Sequence, residues 1–344
     1  MCSSDLLPAR LVHDPEWLAA LTMRTEGVVA VRAGGFGQVG LRDVRVVTHE
    51  DATPVVPDEG GVLLSATSAG VGFFDTAHTS IWHLDTDTLR VRHRGDLFVR
   101  RPSRAGRPGV FGDHATHVLL DRPGGEWLVA TSTWGDFRRA GPTARVGVTL
   151  ARVPAQRQGT RPGGDPWHGR MVLDAAPLDL PRPAASVGVW DPHLVRGGEG
   201  WLVGFVSATR WFEFHPALAE GPDLGRLALR ADAVGRRATE GTTLHRDAEG
   251  AWWVLASDGP DSRHGARRYP VFDLDLVERY TLEAPYPTNI PWPTLVEGGP
   301  GATTLLVTFD GTPQGGRVAG YGTHGDLVIL RSTEAGSPDR STGA

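Results

Sequence analysis

The chain has 344 residues, of which 40% are hydrophobic, and its formal net charge at pH 7 is −5. A mildly acidic chain without a basic run is not expected to bind nucleic acid or an anionic membrane surface. The sequence contains no Lys, and its single cysteine is Cys2; this excludes Schiff-base chemistry, a Walker-type phosphate loop, a disulfide within the chain and a cysteine zinc site.

Residues 1–35 are predicted to form an extension of the main domain. Helical periodicity is confined to EWLAALTMR (16–24), and VVAVRA (28–33) could supply a strand that closes a ring of sheets. The beginning of the chain lacks a basic region followed by a long apolar core, and no segment reaches the roughly 18 apolar residues of a membrane span. We therefore expect a cytoplasmic protein without a membrane partner; its oligomeric state cannot be predicted from the sequence.

A hairpin pattern recurs along residues 36–332. Gly-rich turns lead into apolar strands in GGVLLSATSA (60–69), GEWLVATSTW (125–134), EGWLVGFVSA (199–208), GAWWVLASDG (250–259) and ATTLLVTFDG (302–311). A short apolar strand precedes each turn: TPVV, THVLL, PHLV, TTLH and PTLV. Two apolar strands around a tight Gly turn are typical of a β-hairpin.

The spacing of these hairpins predicts the architecture. They start about 50 to 75 residues apart, which leaves room for two more strands in each unit. Candidates for such strands are IWHLDTDTL (81–89), RVGVTLARV (145–153) and RRYPVFDLDLVERYTL (267–282). Four antiparallel strands repeated five times predict an all-β, five-bladed β-propeller around a central axial pocket. Residues 333–344 have the composition of a disordered tail.

Polar residues recur just before the first strand of each hairpin. In a propeller the innermost strand of every blade begins near the axis, so these positions converge. They hold Asp51 in HEDATP, Asp113, His114 and His117 in DHATH, Trp190, Asp191 and His193 in WDPH, Glu240 in TEGT, and Asn289 and Trp292 in NIPWP. Paired carboxylates suit cleavage of a glycosidic bond, in which one carboxyl protonates the leaving oxygen and the other activates water or attacks the sugar.

Aromatic side chains near the same positions could stack on sugar rings. Trp134 and Trp211 add to the two tryptophans already named. The residues expected to line the substrate pocket are Asp113, His114, His117, Trp134, Trp190, His193, Trp211, Asn289 and Trp292.

On these motifs the chain resembles the five-bladed propeller glycoside hydrolases, namely the family 43 arabinanases and xylosidases and the related family 32 invertases. The resemblance spans roughly residues 40–332 and rests mainly on WDPH and TEGT. It implies that Asp51 is the general base, that Glu240 is the general acid and that Asp191 adjusts the pKa of the acid. It also implies inversion of the anomeric centre and an axial calcium or other divalent metal near His324 of YGTHGD, although no cofactor is required by the carboxylate chemistry itself.

Two alternatives remain open. The histidines of DHATH and WDPH, with His78 of GFFDTAHTS, could converge with Asp113 on zinc, manganese or iron and support a lyase or tailoring reaction. Against this, His114 and His117 face opposite sides of a straight strand. The second alternative is a propeller that binds carbohydrate without catalysis, since a fold places a site but does not fix its reaction.

Overall fold

The computed structural model describes residues 40–69, 74, 76–137, 145–155, 166–183, 186–198, 200–210, 213–262, 265–297, 303–311 and 325–332. All secondary-structure elements in these ranges are β-strands, which confirms the all-β prediction. The predicted helix at 16–24, the predicted strand at 28–33 and residues 333–344 lie outside the described residues. Within the described ranges, no helix is long and apolar enough to span a membrane.

The strands follow one another along the chain with short connections. They are β1 (Gly40–Val46), β2 (Thr48–His49), β3 (Val62–Ala69), β4 (His78–Leu84), β5 (Val91–Pro102), β6 (Pro108–Phe111), β7 (His114–Asp121), β8 (Glu126–Ser132), β9 (Val148–Pro154), β10 (Gly169–Leu178), β11 (Gly188–Gly197), β12 (Gly200–Arg210), β13 (Glu213–Gly221), β14 (Ala228–Asp232), β15 (Thr239–Arg246), β16 (Trp252–Asp258), β17 (Tyr269–Phe272), β18 (Glu278–Leu282), β19 (Thr294–Val296), β20 (Leu305–Asp310) and β21 (Asp326–Arg331).

Four sheets result from the pairing of these strands. One sheet has the order β1-β3-β4-β5-β10-β9-β8-β7-β2, with β6 beside β5; β11 to β14 and β15 to β18 form two four-stranded sheets, and β19 to β21 form a three-stranded one. The large sheet consists of two antiparallel runs that are joined by parallel pairing of β5 with β10. Because β2 follows β1 almost directly and pairs with β7, this sheet nearly closes on itself.

The predicted hairpins correspond to observed strand pairs with one exception. The segments from THVLL, PHLV, TTLH and PTLV lie in β7, β11, β15 and β19, and the predicted outer strands contribute to β4, β9, β17 and β18. TPVV, by contrast, folds back on β2: Pro54 bridges Thr48, and the Val55 N–H donates to the Val47 carbonyl. The strand that pairs with β3 at the centre is β1. The innermost strand of the first unit was therefore predicted about ten residues too late.

The first strands of the antiparallel runs pack beside one another around the centre of the molecule. We call β1, β7, β11, β15 and β19 the inner strands; β7 contacts both β1 and β11, β11 contacts β15, and β19 contacts β1. The strands next to them are buried on both faces, as in β3 and in β12 with Val203 and Phe205. Each such fully buried side chain contributes about 1.5–3 kcal/mol of hydrophobic free energy.

Each inner strand is irregular at its beginning. The pairing register shifts after Arg42 in β1, after His114 in β7, after Trp190 in β11 and after Glu240 in β15. At or next to these positions the backbone is left-handed, with φ of 51° at Asp43, 58° at Ala115, 55° at Asp191, 77° at Gly241 and, before β19, 55° at Ile290. A bulge of this kind redirects the neighbouring side chains and is frequent beside active sites. We call this end of the inner strands the entry end, and the other the exit end.

Candidate active site

Three carboxylates from three inner strands lie together at the entry end. Asp43 and Asp191 occupy the left-handed positions of β1 and β11, and Glu240 directly precedes Gly241 in β15. The charges of Glu240 and Asp43 raise the pKa of Asp191, and that of Asp43 raises the pKa of Glu240. Like charges near a carboxyl disfavour its ionisation. The three groups therefore form one electrostatic unit, which we call the carboxylate cluster.

Glu240 holds its proton more tightly than an ordinary glutamic acid. Burial is the largest cause and the charge of Asp43 the next, and together they raise the pKa of Glu240 to about 8. Arg42 and the indole groups of Trp292 and Trp190 act in the opposite direction. The Trp292 contact is weak, because its Nε1 atom has no hydrogen bond of ordinary geometry among the described residues. At neutral pH the carboxyl is therefore mostly protonated, as a general acid must be.

Asp191 is held in the bulge of β11 by contacts from both sides. Its backbone N–H donates to Ser132 Oγ at 2.8 Å, and its carbonyl accepts from Arg45 Nη2 at 3.1 Å. The residue is 2% exposed. Burial and the charges of Glu240 and Asp43 raise its pKa well above the ordinary value, and Arg45 opposes this rise.

Asp51 lies elsewhere. It follows β2, whose Thr48 pairs with Leu119 near the exit end of β7. Its carboxylate accepts from the backbone N–H of Thr53 at 3.0 Å and from Arg122 at 2.5 Å. Burial raises the pKa of Asp51, but the hydrogen bonds from Thr53 and Arg122 outweigh it and lower the pKa overall. The structure thus does not bring Asp51 to Asp191 and Glu240.

A cavity of about 650 Å³ opens where Asp51 lies. His193, His245, Asp51 and Glu297 are among its lining residues. These positions belong to the exit end, because His245 and Glu297 are near or beyond the last residues of β15 and β19. The cavity is therefore separate from the carboxylate cluster, which lies at the beginning of the same strands.

Asp113 is committed to a buried ion pair. Its two oxygens accept from Arg101 Nε and Nη2 at 2.5 and 2.6 Å, and one also accepts from the Gly135 N–H at 3.0 Å. The side chain is fully buried. In this arrangement the carboxylate joins β5 to the ends of β7 and β8 and has little capacity left for a substrate.

His114 is buried beside the carboxylate cluster. Its Nδ1–H donates to the Gly112 carbonyl at 3.0 Å, which assigns the tautomer, and its ring stacks near Phe74. Burial lowers the pKa of His114, although the charge of Asp43 acts against this. The imidazole is therefore neutral at pH 7 and lies close enough to Asp43 to sense its charge.

His117 and His193 stack on each other in the centre of the molecule, with 3.9 Å between ring centroids. Their Nδ1 atoms accept from the backbone N–H groups of Leu194 at 3.1 Å and Leu244 at 3.4 Å. An amide can only donate, so both rings carry their proton on Nε2, and His117 Nε2 contacts Thr48 Oγ1 at 3.1 Å. Burial lowers both pKa values well below the ordinary value. Both histidines tie neighbouring inner strands together as neutral rings.

The aromatic residues form a cluster at the entry end. Trp134 packs 5.1 Å from Phe74 and 5.4 Å from Trp190, measured between ring centroids. Trp190 and Trp292 are almost fully buried, whereas Trp134 is partly exposed and offers more surface to a ligand. Trp211 and His324 lie outside the described residues.

Asn289 also lies at the entry end, in a left-handed conformation with φ of 72°. Its Nδ2 donates to the Gly311 carbonyl at 3.0 Å, and Arg42 Nη1 donates to the same oxygen at 3.3 Å. Asn289 therefore connects the beginning of β19 to the end of β20, next to the arginine that acts on Glu240.

The sequence and the fold of this chain were compared with those of known proteins. No family model matches the sequence, and no curated protein matches it. A family 117 glycoside hydrolase from Zobellia galactanivorans is 13% identical over 86% of this chain and 85% of that chain, with a TM-score of 0.56. The GH43_1 enzyme from Xanthomonas citri, complexed with xylose, is 15% identical over 87% and 89%, with a TM-score of 0.53.

A third neighbour is the Bombyx mori GH32 β-fructofuranosidase, which is 12% identical with a TM-score of 0.52. The match covers 85% of this chain and 60% of that longer chain. The chain shares the fold of propeller glycoside hydrolases. The resemblance that WDPH and TEGT indicated is confirmed at the level of the fold.

Several residues of this propeller site were not anticipated from the sequence. Asp43, Arg42 and Arg45 precede TPVV, the predicted first inner strand, and Tyr286 lies in the connection before β19. Tyr286 donates to the Asp258 carbonyl at 2.8 Å, and burial, followed by nearby charges that include Glu240, raises its pKa. A usable signal was the match of Asp43-Val-Arg-Val to Asp191-Pro-His-Leu, an acid followed by an alternating strand.

The histidines of the propeller are not gathered around one point. His78 contacts Asp96 Oδ1 at 3.1 Å, away from the stacked pair of His117 and His193. In the described ranges, no group of three or more His, Cys, Asp and Glu side chains could hold a metal ion. The described histidines thus do not form the metal site that the sequence left open.

Proposed function

We propose that the protein is a glycoside hydrolase that cleaves a small glycoside or sugar-bearing molecule with the carboxylate cluster of Asp43, Asp191 and Glu240. The observation that carries the proposal is the convergence of three acids from three inner strands, one of which has a pKa of about 8. A general acid needs a pKa near or above the working pH. The negative charge of Asp43 contributes to the raised pKa of Glu240. The glycoside hydrolases among the structural neighbours support a carbohydrate substrate.

We infer further that the architecture is a five-bladed propeller. The two antiparallel runs of the large sheet would be the first and second blades, and the three smaller sheets the remaining ones. Gly40 of β1 bridges Gly325 in front of β21, and the Leu41 N–H donates to the Gly325 carbonyl at 2.7 Å. This contact supports a ring in which the first strand also completes the last, three-stranded blade.

In the proposed reaction, Glu240 protonates the glycosidic oxygen as the bond to the sugar breaks. Asp43, half-buried and on a different inner strand, removes a proton from the attacking water. Asp191 is coupled to Glu240, whose charge raises the pKa of Asp191, so the pair does not readily lose both protons. Asp43 takes the role that the sequence had suggested for Asp51, because Asp43 rather than Asp51 acts electrostatically on the other two acids.

Turnover of a panel of aryl glycosides would test this proposal, with Asp43→Asn and Glu240→Gln as variants and Asp51→Asn as a matched control. Loss of a general acid or base lowers the rate by about 10²- to 10⁴-fold. We expect losses of that size for Asp43→Asn and Glu240→Gln and less than a threefold change, roughly, for Asp51→Asn, which lies outside the cluster.

Two results would contradict the proposal. If the wild type binds oligosaccharides in calorimetry but cleaves none of the panel, the protein is a carbohydrate-binding propeller. If Asp51→Asn abolishes turnover and Asp43→Asn does not, the assignment of the base is wrong.

A further inference from the structure

A ring of side chains lies directly below the carboxylate cluster. It is formed by the residues two positions after each left-handed residue of the inner strands, and we call it the axial ring. Its members are Arg45, His117, His193, Thr243 and Trp292. All five are less than 5% exposed.

Arg45 is the member of the ring that reaches the other inner strands. Its Nη1 donates to Thr243 Oγ1 of β15 at 2.8 Å, and its Nη2 donates to the Asp191 carbonyl of β11 at 3.1 Å. The guanidinium lies over the ring of Trp292 at 4.7 Å from the centroid. It is also near enough to His117 of β7 to lower the pKa of that ring. A side chain with these contacts occupies the centre of the molecule.

The axial ring does not fit a divalent cation. The Nδ1 lone pairs of His117 and His193 are already occupied by backbone N–H groups, and their Nε2 atoms carry hydrogen. Arg45 contributes a positive charge at the same place. Burial lowers its pKa to about 10, against the effect of Asp191 and Asp43, so it remains charged at neutral pH. The axial metal that the family resemblance implied thus has no vacant ligands among these residues.

We propose that Arg45 is the fixed cation of the propeller axis, a positioning residue that takes the place of an axial metal below the carboxylate cluster. Its hydrogen bond to the Asp191 carbonyl holds the left-handed bulge that aims the Asp191 side chain. Its charge offsets the repulsion among the acids, so that they can be packed together at one end of the inner strands. The catalytic consequence rests on the proposed function, whereas the electrostatic one does not.

The groups that face Arg45 come from all the inner strands. They are Asp43 of β1, His117 of β7, Asp191 and His193 of β11, Thr243 of β15 and Trp292, which lies just before β19. The two histidines are neutral and the last two groups are uncharged. Burial is the largest cause of the lowered pKa of both histidines and persists without Arg45, so we expect the main response to loss of the guanidinium charge at the carboxylates.

The experiment compares wild type with Arg45→Met, and uses Arg101→Met as a control that removes a different buried arginine. Arg101 binds Asp113 and Asp136 and is not among the charges that act on Asp191 or Glu240. Carbon-13 NMR of aspartate carboxyls, assigned with Asp191→Asn, reports the pKa of Asp191 without any turnover. We expect Arg45→Met to raise that pKa by at least about one unit, and Arg101→Met to leave it unchanged.

Two further measurements complete the test. The melting temperature of wild type is followed with EDTA and with excess Ca²⁺ or Mg²⁺, and we expect neither to change it, because a ligand that bound the native state would raise it. On a substrate found in the glycoside panel, Arg45→Met should lower kcat by roughly 100-fold, as expected for misplaced catalytic groups, with a smaller effect on KM.

An unchanged Asp191 pKa in Arg45→Met, or a wild type that is stabilised by a divalent ion and destabilised by EDTA, would overturn the proposal. If Arg45→Met does not fold, Arg45→Gln is titrated instead and the same shift is required. A protein that turns over no glycoside but shows the Asp191 shift would contradict the proposed function and leave the axial role of Arg45 supported.

Discussion

Because of its surroundings, Glu240 makes a contribution to the free energy of unfolding of the protein that depends on pH. Its pKa is about 8 in the folded chain and near 4.5 when unfolded. Between these values the folded state binds more protons than the unfolded state, so the free energy of unfolding falls as pH rises. This loss is absent below pH 4.5 and complete above pH 8.

Glu240→Gln should remove this loss, because glutamine cannot ionise. We expect the variant to be more stable than wild type at pH 9, by up to about 5 kcal/mol at roughly 1.4 kcal/mol per pKa unit, and to gain nothing at pH 4. Denaturant unfolding at both pH values measures the difference. Asp51→Asn serves as a control with the opposite sign, because its lowered pKa makes the ionised form stabilising at neutral pH. A gain of equal size at pH 4 and pH 9 would contradict the assignment.

For Asp113 we predict an effect on the stability of the fold rather than on catalysis. Breaking a buried ion pair by removing one charge costs about 3–5 kcal/mol, and we expect Asp113→Asn to lower the free energy of unfolding by that amount because Arg101 is left uncompensated. Asp174→Asn is the control: its partner Arg100 lies 2.7 Å away, both side chains are more than half exposed, and loss of such a pair costs about 1 kcal/mol or less. Equal effects in urea unfolding would show that the Asp113 pair is not the buried structural link described.

Asp191 and Asp113 occupy similar positions in the sequence but have different partners in the structure, and this difference shows what the sequence could predict at single positions. Both were placed correctly at the start of an inner strand, because each precedes a recognisable apolar strand and Gly turn. Only Asp191 joined the carboxylate cluster. Asp113 is bound by Arg101, which comes from the preceding β5. No local sequence pattern predicts the pairing of Arg101 with Asp113, because this pairing depends on how β5 and β7 pack.

At the scale of the strands, a bulge recurs at the entry end of β1, β7, β11 and β15. In β15 it depends on Gly241, whose φ is 77° and whose Cα faces Trp292. A Cβ atom built there would lie 2.4 Å from Trp292 Cδ1 and 2.5 Å from its Cγ. The absence of a side chain at this position therefore lets Trp292 pack against the backbone that carries Glu240.

Gly241→Ala should both strain the backbone and displace Trp292. Overpacking alone typically costs about 1–3 kcal/mol, and left-handed φ adds about 1–2 kcal/mol for a residue with a Cβ. Gly125→Ala is the matched control, since Gly125 also has positive φ, 66°, but no atom within 4 Å of the added Cβ. We expect Gly241→Ala to melt at a clearly lower temperature than Gly125→Ala in calorimetry. Equal melting temperatures would mean that Trp292 moves aside without cost.

The strand pattern could be predicted where it is local. Gly-rich turns between apolar strands located β7–β8, β11–β12, β15–β16 and β19–β20, because a hairpin requires both features within a few residues. In the first unit, β1 and β3 are separated by a segment that folds back on β2, and TPVV was the nearer apolar candidate. The parallel pairing of β5 with β10 had no sequence signal, since the two strands are far apart along the chain.

At the scale of the whole molecule, the ring arrangement brings distant parts of the chain to one place. Asp43, Asp191 and Glu240 are separated by more than a hundred residues at the extremes, yet each lies at the start of an inner strand. The repeat pattern predicted this end for Asp191 and Glu240, which belong to recognisable hairpins, but it gave Asp51 in place of Asp43. It was not sufficient to predict the ion pair of Asp113 or the backbone hydrogen bonds of His117 and His193, which engage these side chains within the protein.

The same arrangement predicts the stereochemical outcome of the proposed reaction. β1 contacts β7 and β19, β7 contacts β11 and β11 contacts β15, which puts β7 and β11 between β1 and β15 on one side; in the proposed five-bladed ring, β19 would lie between them on the other. Asp43 and Glu240 therefore approach a bound sugar ring from different sides. An inverting enzyme needs about 6.5–9.5 Å between its carboxyls to hold a water, whereas direct attack in a retaining enzyme needs about 5–5.5 Å. Separate strands with an intervening one favour the larger spacing.

We therefore expect inversion at the anomeric carbon. The measurement is proton NMR of the first sugar released from a glycoside of known configuration, recorded before mutarotation mixes the anomers. A first product of retained configuration in the wild type would instead mean that Asp43 attacks the sugar directly, and that the cluster is tighter around the substrate than its placement on β1 and β15 indicates.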